Sequence, residues 1–328
     1  MSESEMNVLY ISDFGRPSKR NTSATNNVIG LAKNDVNIVC RSLSTENVNP
    51  LVLQYLNKPI KDITHCIQHV DNDQMIGSDM YKKNIGIIDC PSTKFYDEEL
   101  TRRMTELWSY NPKLKFNCLK PCFKPKAYYE KQYAPMNIRG LDHTYKFYTV
   151  MNYSSNKKYV EDLFIAFYTT FDVDDQVCLI IKARILQNGK EKELFNHING
   201  MAESIKIKCG KKDYPKEIIL CGNMEDEHLA SLHQNCDCFV NTSIDIGEDY
   251  NEIDAKGFGN VTMNTSSSIG LDYPLLGIDN GNYGRRYNIK SLQEFMLVSY
   301  IFGSKKEPNI DHYSIEELGQ NIKRELLK

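Results

Sequence analysis

No apolar run in the chain approaches the ~20 residues that cross a bilayer, so no membrane span is expected. The amino terminus, MSESEMNVLYIS, is acidic and enters a strand-like run directly, so it does not read as a signal peptide. With no export signal, the ten cysteines are expected as reduced thiols in a cytoplasm. Their spacings lack the C-x2-C of structural zinc. Cys118-x3-Cys122 and Cys236-x-Cys238 read as buried thiols instead. A surplus of one charge is also missing. Lys and Arg number 40 against 43 Asp and Glu, a net charge of -3, so the whole molecule is not an obvious polyanion binder. There is no short repeat and no low-complexity tract.

What is present is a strand–helix alternation that runs twice. A length of 328 residues exceeds one ordinary core and points to two domains. The 41% apolar and 25% charged content is that of a soluble globular chain. NVLYIS (7–12) reads as a buried strand, SATNNVIGLAKN as a helix capped by Thr22 or Ser23, and VNIVCRSL as the next strand. Strands follow over 62–69 and 84–89, then a helix over 97–110. Residues 111–143, with four prolines, read as a crossing segment. The pattern restarts with a strand over 145–152, a helix over 160–171 and a fully buried strand over 177–185. A strand over 216–223, a helix over 225–235 and a strand over 236–243 continue it. Ser314 is placed to cap a final helix over 314–327. The expectation is an α/β chain of two Rossmann-like domains facing a cleft. The first domain spans 1–118, the crossing 119–143 and the second 144–312, and the last helix (313–328) packs back on the first domain.

Ligands of open parallel sheets bind beyond the carboxyl ends of the strands. One stretch there is rich in carboxylates. After CDCFVNTS come Asp245, Glu248, Asp249, Glu252 and Asp254, then Gly257-Phe258-Gly259. The other suggestive pair is Lys157-Lys158, placed between a strand and a helix start, where a phosphate would meet two ammonium groups and the positive helix end. Without further context these are a solvated acidic loop and a solvated lysine pair.

The stretch YKFYTVMNYSSNKKYVEDLFIAFYTTFDVDDQVCLIIKAR resembles the start of the donor domain of family 4 glycosyltransferases, retaining enzymes of GT-B architecture. CDCFVNTS, GED, IDAKGFGNV and YGRRYNIKSLQEFMLVSY resemble later segments of that family. The resemblance implies a nucleotide-sugar donor and an acceptor hydroxyl, with no cofactor and no metal. It matches Lys157 and Lys158 to the pair that holds the donor diphosphate, with Lys158 catalytic. Aligned on Gly247-Glu248, Glu248 faces the donor sugar and Asp254 grips the ribose, with Glu252 a spectator or its substitute and Ser243 and Gly15 close to the donor. The resemblance also implies the cytoplasm of a bacterium or of a phage-infected host. The chain departs from the pattern: two residues are missing between the acidic positions, the proline after the last glycine is absent, and Ser18-Lys19-Arg20 stands where the first loop is usually glycine-rich. These departures keep a non-catalytic relative, binding a nucleotide or partner chain, as the alternative.

In the first half, His65 and His69 read as a strand end rather than a metal pair. Each is an ordinary structural histidine or, on the resemblance, the histidine near the donor sugar, with His65 the candidate. Asp172-x-Asp174 follows a helix, and Asp71-x-Asp73 lies in the first half away from the donor, so neither is expected to hold a catalytic metal. Residues 113–133 interleave six lysines with Phe and Tyr. Lys113, Lys115, Lys120, Lys124 and Lys126 are candidate nucleic-acid contacts, with the rings stacking on bases; the alternative is a solvated crossing. The acceptor is therefore left as a saccharide or a hydroxymethylated base in phage DNA, and the oligomeric state is left open.

Overall fold

In NVLYIS the side chains alternate between two covered faces. Val8 and Tyr10 join one core, and Leu9 joins a smaller cluster on the other side. A strand buried on both faces calls for parallel neighbours and helical crossovers, and the computed structural model has them. It describes residues 6–15, 18–59, 61–88, 102–110, 116–136, 141, 143–184, 189–241, 250–264, 273–274, 277–279, 285–307 and 313–328. At 19, 154–158, 264, 273–274, 277–279 and 285–287 only the backbone is described.

The chain divides into two compact units. The first contains residues 1–126, 246–250 and 309–328. Its elements run β1 (Asn7–Ser12), α1 (Lys19–Lys33), β2 (Asn37–Ser42), α2 (Pro50–Leu53), β3 (His65–His69), β4 (Lys83–Ile88), β5 (Glu106–Ser109) and β6 (Asn117–Cys118). The sheet order is β2-β1-β3-β4-β5-β6, and every pairing is parallel. The second unit opens near α3 (Lys126–Glu130) and continues with β7 (Tyr145–Asn152), α4 (Tyr153–Thr170), β8 (Val177–Arg184), α5 (Glu191–Cys209) and β9 (Lys216–Cys221). Next come α6 (Asp226–Asn235), β10 (Cys238–Asn241), α7 (Tyr250–Gly257), β11 (Val261–Asn264), β12 (Tyr273–Pro274), the hairpin of β13 (Gly277–Asp279) and β14 (Arg285–Tyr287), and α8 (Ile289–Phe302). Its sheet, β12-β11-β10-β7-β8-β9, is again parallel throughout. Phe147, Leu179 and Ile181 point to the face covered by α4 and α5, and Tyr148, Cys178 and Ile180 to the opposite face.

Elements differ from the sequence reading at several places, two of them in the first unit's β5 and α1. The helix expected over 97–110 contains β5. Leu107, Trp108 and Ser109 are buried, and β5 lies between β4 and β6. Lys83 bridges to Glu106 at 2.8 Å, and Glu106 also accepts the Trp108 indole N–H at 2.9 Å. Pairing on both sides overrides a local helical pattern in so short a run. Likewise α1 starts earlier than Thr22. Its cap is Ser18, whose hydroxyl accepts the Asn21 N–H at 3.1 Å.

The last helix, α9 (Ile315–Leu326), is capped by Ser314, whose hydroxyl accepts the Glu317 N–H at 3.1 Å. Leu318, Ile322 and Leu326 share a core with Ala24, Val28 and Leu31 of α1. The helices touch through glycines: a Cβ on Gly319 would lie 1.9 Å from the Gly30 carbonyl oxygen. Lys33 pairs with Glu316, and Lys323 donates to the Asn34 carbonyl at 2.8 Å. Gly319→Ala should therefore force the helices apart and lower stability by about 1–3 kcal/mol, as overpacking does. Urea unfolding followed by circular dichroism checks this, and an unchanged midpoint would show that the close approach is not required.

Candidate functional site

Because the second sheet is parallel, the carboxyl ends of its strands share one edge. Its strand order reverses between β7 and β10, the switch point at which such sheets bind ligands. Leaving that edge, β7 passes into α4 with no intervening turn. Tyr153 opens the helix and is buried in the same core as Phe147 and Phe167, which ties the helix start to the strand. Lys157 and Lys158 are consequently the fifth and sixth residues of α4 rather than residues of a preceding loop. The unbonded helical N–H groups belong to the first four residues of the helix. The lysines' side chains lie outside the described residues.

Of the acidic stretch after β10, Ser243 and Glu248 also lie outside the described residues. Glu252 and Asp254 are both on α7 and both buried, at 2% and 4% exposure. Glu252 is in the first turn. Asp254 sits two residues further on and accepts the Tyr129 hydroxyl at 3.0 Å. Tyr129 belongs to α3, in the segment that reads as a crossing, and nothing in its local sequence marks it as a partner of α7. Its ring lies edge-on to Phe258 at 5.2 Å, and a Cβ on Gly257 would meet its Cε1 at 2.1 Å. The end of α7 is thus pressed against Tyr129.

A second buried network holds the chain just beyond α7. Tyr148 Oη and His233 Nδ1 are 2.7 Å apart. Asn260 Nδ2 donates to Tyr148 Oη at 2.8 Å and to the His233 carbonyl at 2.7 Å. The His233 ring stacks on Phe258 with centroids 6.1 Å apart. Burial pushes the Tyr148 phenol well above its ordinary pKa, so it acts as a neutral hydrogen-bonding group.

Three aromatic residues of the lysine-rich tract are buried, while Phe116 and Tyr128 are half-buried. Phe123, Tyr129 and Tyr133 are 6%, 8% and 8% exposed. Phe123 packs on Tyr313, and Tyr128, Tyr129 and Tyr133 pack on Phe258. Lys120 and Lys126 are exposed and Lys124 is half-buried, while Lys113 and Lys115 lie outside the described residues.

In the first sheet the two histidines occupy opposite ends of β3. His65 begins the strand, at the amino end of the parallel sheet, with Nδ1 2.8 Å from the Thr64 hydroxyl. Burial lowers its pKa, and the Leu326 backbone partly offsets this. His69 ends the strand, fully buried, with Nδ1 3.3 Å from Tyr10 Oη. Gly15 donates its N–H to Asp13 Oδ1 at 3.1 Å, and a Cβ there would lie 2.3 Å from the Glu46 carbonyl oxygen, so packing within the unit requires a glycine. Asp71 pairs with Arg20 at 2.8 Å and Asp172 with Lys211 at 2.6 Å. Among the described residues no group of three His, Cys, Asp or Glu side chains is arranged to hold a metal ion. Cys122, Cys236 and Cys238 are buried, but Cys118 is exposed rather than buried. Burial pushes the Cys40, Cys66 and Cys178 thiols up to about 12, which leaves them inert. No helix among the described residues is long and apolar enough to cross a membrane.

No protein-family model and no curated protein sequence matches the chain. Solved structures do. An E. coli trehalose-6-phosphate structure bound with UDP-2-fluoro glucose is 10% identical with a TM-score of 0.63, over 98% of each chain. Sucrose-phosphate synthase from Thermosynechococcus elongatus is 12% identical at 0.60, again over 98% of each chain. An α,α-trehalose-phosphate synthase (UDP-forming) from Burkholderia xenovorans, in complex with glucose-6-phosphate, is 10% identical at 0.54, over 95% of this chain and 79% of its own. The chain therefore has the fold of the GT-B glycosyltransferases, two parallel-sheet α/β units.

The Tyr129 hydroxyl ties Asp254 to α3. Tyr129→Phe keeps the ring packing and deletes that bond, leaving a buried carboxylate short of a donor at a cost of about 1–3 kcal/mol. The expected result is a lower urea midpoint for the second unit, with Tyr129→Phe/Asp254→Asn less than additive in a double-mutant cycle. Strict additivity would mean that the two groups do not act together.

Proposed function

We propose that this chain is a retaining glycosyltransferase, most similar in motif to family 4, that moves a sugar from a nucleotide-sugar donor to an acceptor hydroxyl without a metal. The observation that carries the reading is the placement of a buried carboxylate, Glu252, in the first turn of α7, following β10 beside the switch point of the second parallel sheet. Support for a nucleotide-sugar comes from the fold, since a structure that shares it was solved with UDP-2-fluoro glucose. The motif resemblance made Asp254 the ribose partner. Glu252 is preferred here because it stands in the first turn of α7, two residues nearer the helix start than Asp254. A carboxylate accepts both hydroxyls of a ribose in the way it accepts paired N–H donors.

In the proposed reaction the bond between the sugar C1 and the donor phosphate oxygen breaks, and its electron pair stays on the diphosphate. The acceptor oxygen bonds to C1 on the same face and gives its proton to the departing phosphate. Lys157 and Lys158 neutralise the charge that builds on that phosphate, a contribution larger in the transition state than in the ground state. Glu248, in the stretch after β10, is assigned to the donor sugar on the motif resemblance alone. Of the two histidines of the first unit, His69 rather than His65 stands at the carboxyl end of its own parallel sheet, the edge at which such sheets meet ligands. Between the two acceptor classes a saccharide is favoured over a base in DNA, because the buried Phe123, Tyr129 and Tyr133 are not available to stack on bases.

Calorimetry with uridine diphosphate separates the carboxylates. Glu252→Ala should weaken binding roughly 5- to 150-fold, the equivalent of ~1–3 kcal/mol for a hydroxyl that loses its partner. Asp254→Asn should mainly lower stability; loss of binding in Asp254→Asn alone would exchange the two roles. Lys158→Ala should reduce turnover about 10²–10³-fold. A raised KM at normal kcat would instead make Lys158 a simple binding contact. Transfer should persist in EDTA, and activity restored only by Mg²⁺ or Mn²⁺ would contradict the metal-free reaction.

A further inference from the structure

β8 reads VCLIIKAR, and its lysine is out of place electrostatically. Leu179 and Ile181 enter the core under α4 and α5, while Cys178 and Ile180 enter the core on the opposite face. Lys182 continues the second alternation. Its register partners, Val150 on β7 and Leu220 on β9, both pack on that same core. The lysine is 5% exposed. Its Nζ donates to the carbonyl of Gly222, the residue just past the end of β9, so the ammonium reaches the carboxyl edge of the sheet. Gly222 is held at φ 102°, a conformation that favours glycine.

An ammonium has three donors, and here one carbonyl takes one of them. No carboxylate among the described residues lies within ion-pair distance of Lys182. The segment that follows β8, residues 185–188, is Ile-Leu-Gln-Asn and holds no acid. Burial lowers the lysine's pKa, the Cys221 sulfur raises it and Arg184 lowers it further. A buried charge without a counter-ion is among the costliest features a fold can carry, and a methionine would fill the same space without that cost. The cation also lies on the strand next to β7, whose end leads into the helix carrying Lys157 and Lys158.

We propose that the missing counter-ion is a ligand: Lys182 is a phosphate-binding residue at the carboxyl edge of the second sheet. A phosphate oxygen, singly or doubly charged, supplies both the negative charge and the acceptors for the remaining N–H groups. The inference depends on the glycosyltransferase reading only for which molecule carries the phosphate. On that reading it is the donor's diphosphate.

Lys182→Met and Lys182→Gln keep most of the stem and remove the charge. For each, thermal unfolding of the ligand-free protein is measured, followed by calorimetric titration with uridine diphosphate and, separately, with inorganic pyrophosphate. The expected result is a melting temperature equal to or above that of the wild type, with at least a tenfold loss of affinity for both ligands. If the wild type binds pyrophosphate but not uridine diphosphate, and the variants lose pyrophosphate, the lysine assignment stands and the nucleotide-sugar reading fails. Variants that bind as tightly as the wild type, or a wild type that binds neither ligand, overturn the assignment. So does a lowered melting temperature in either variant, which would mark Lys182 as a prop for the Gly222 turn.

Discussion

Parallel pairing is the constraint from which the other features follow. Each sheet brings all its carboxyl ends to one edge, so each return crossing must run over a face, and the faces must be apolar to receive the helices. The chain meets that demand with strands buried on both sides: Val8 and Leu9, Phe147 and Tyr148, Leu179 and Ile180 point alternately into different cores. Polar groups able to meet a ligand are thereby pushed to the strand ends. The same rule separates residues that look equivalent in sequence. His65 and His69 are four apart on one strand, yet they stand at opposite edges of the first sheet.

Around the proposed donor helix the interior is not apolar, and its polar atoms are linked. Asp254 and Tyr129 meet on one side of α7, and Tyr148, His233 and Asn260 meet beyond its carboxyl end, with Phe258 packed between the two groups. Hydrogen bonds between buried groups are strengthened by the low local dielectric and so favour one geometry of the linked side chains. The helix that presents Glu252 is therefore anchored at its far end. On the proposed reading, that arrangement suits a site that holds a ribose in one orientation, with Glu252 as its partner and Asp254 bonded to Tyr129.

Long periodic elements were legible from the residues alone. The restart of strand–helix alternation at Tyr145 and the Ser314 cap both correspond to elements of the structure. β5 was not legible, because four residues carry too little local pattern to outweigh a helical reading, and its strand character comes from pairing with β4 and β6. The start of α4 was misplaced because no glycine or proline marks the passage from Asn152 to Tyr153. Tyr129 was hidden in a lysine-rich tract that looked solvated, and only the Gly257 and Phe258 contacts reveal its inward direction. For Lys182 the sequence does carry a signal: a lysine inside a strand that otherwise reads as buried on both faces is a contradiction within the sequence itself.

The central claim is that a nucleoside diphosphate binds at the carboxyl edge of the second sheet. Hydrogen–deuterium exchange with and without uridine diphosphate tests it across the whole chain. The account requires slowed exchange at the start of α4 (153–160), in the turn after β9 (222–226) and along α7 (250–257), with β4 and β5 of the first unit unaffected. Protection confined to the first unit, or none anywhere at saturating nucleotide, would contradict it.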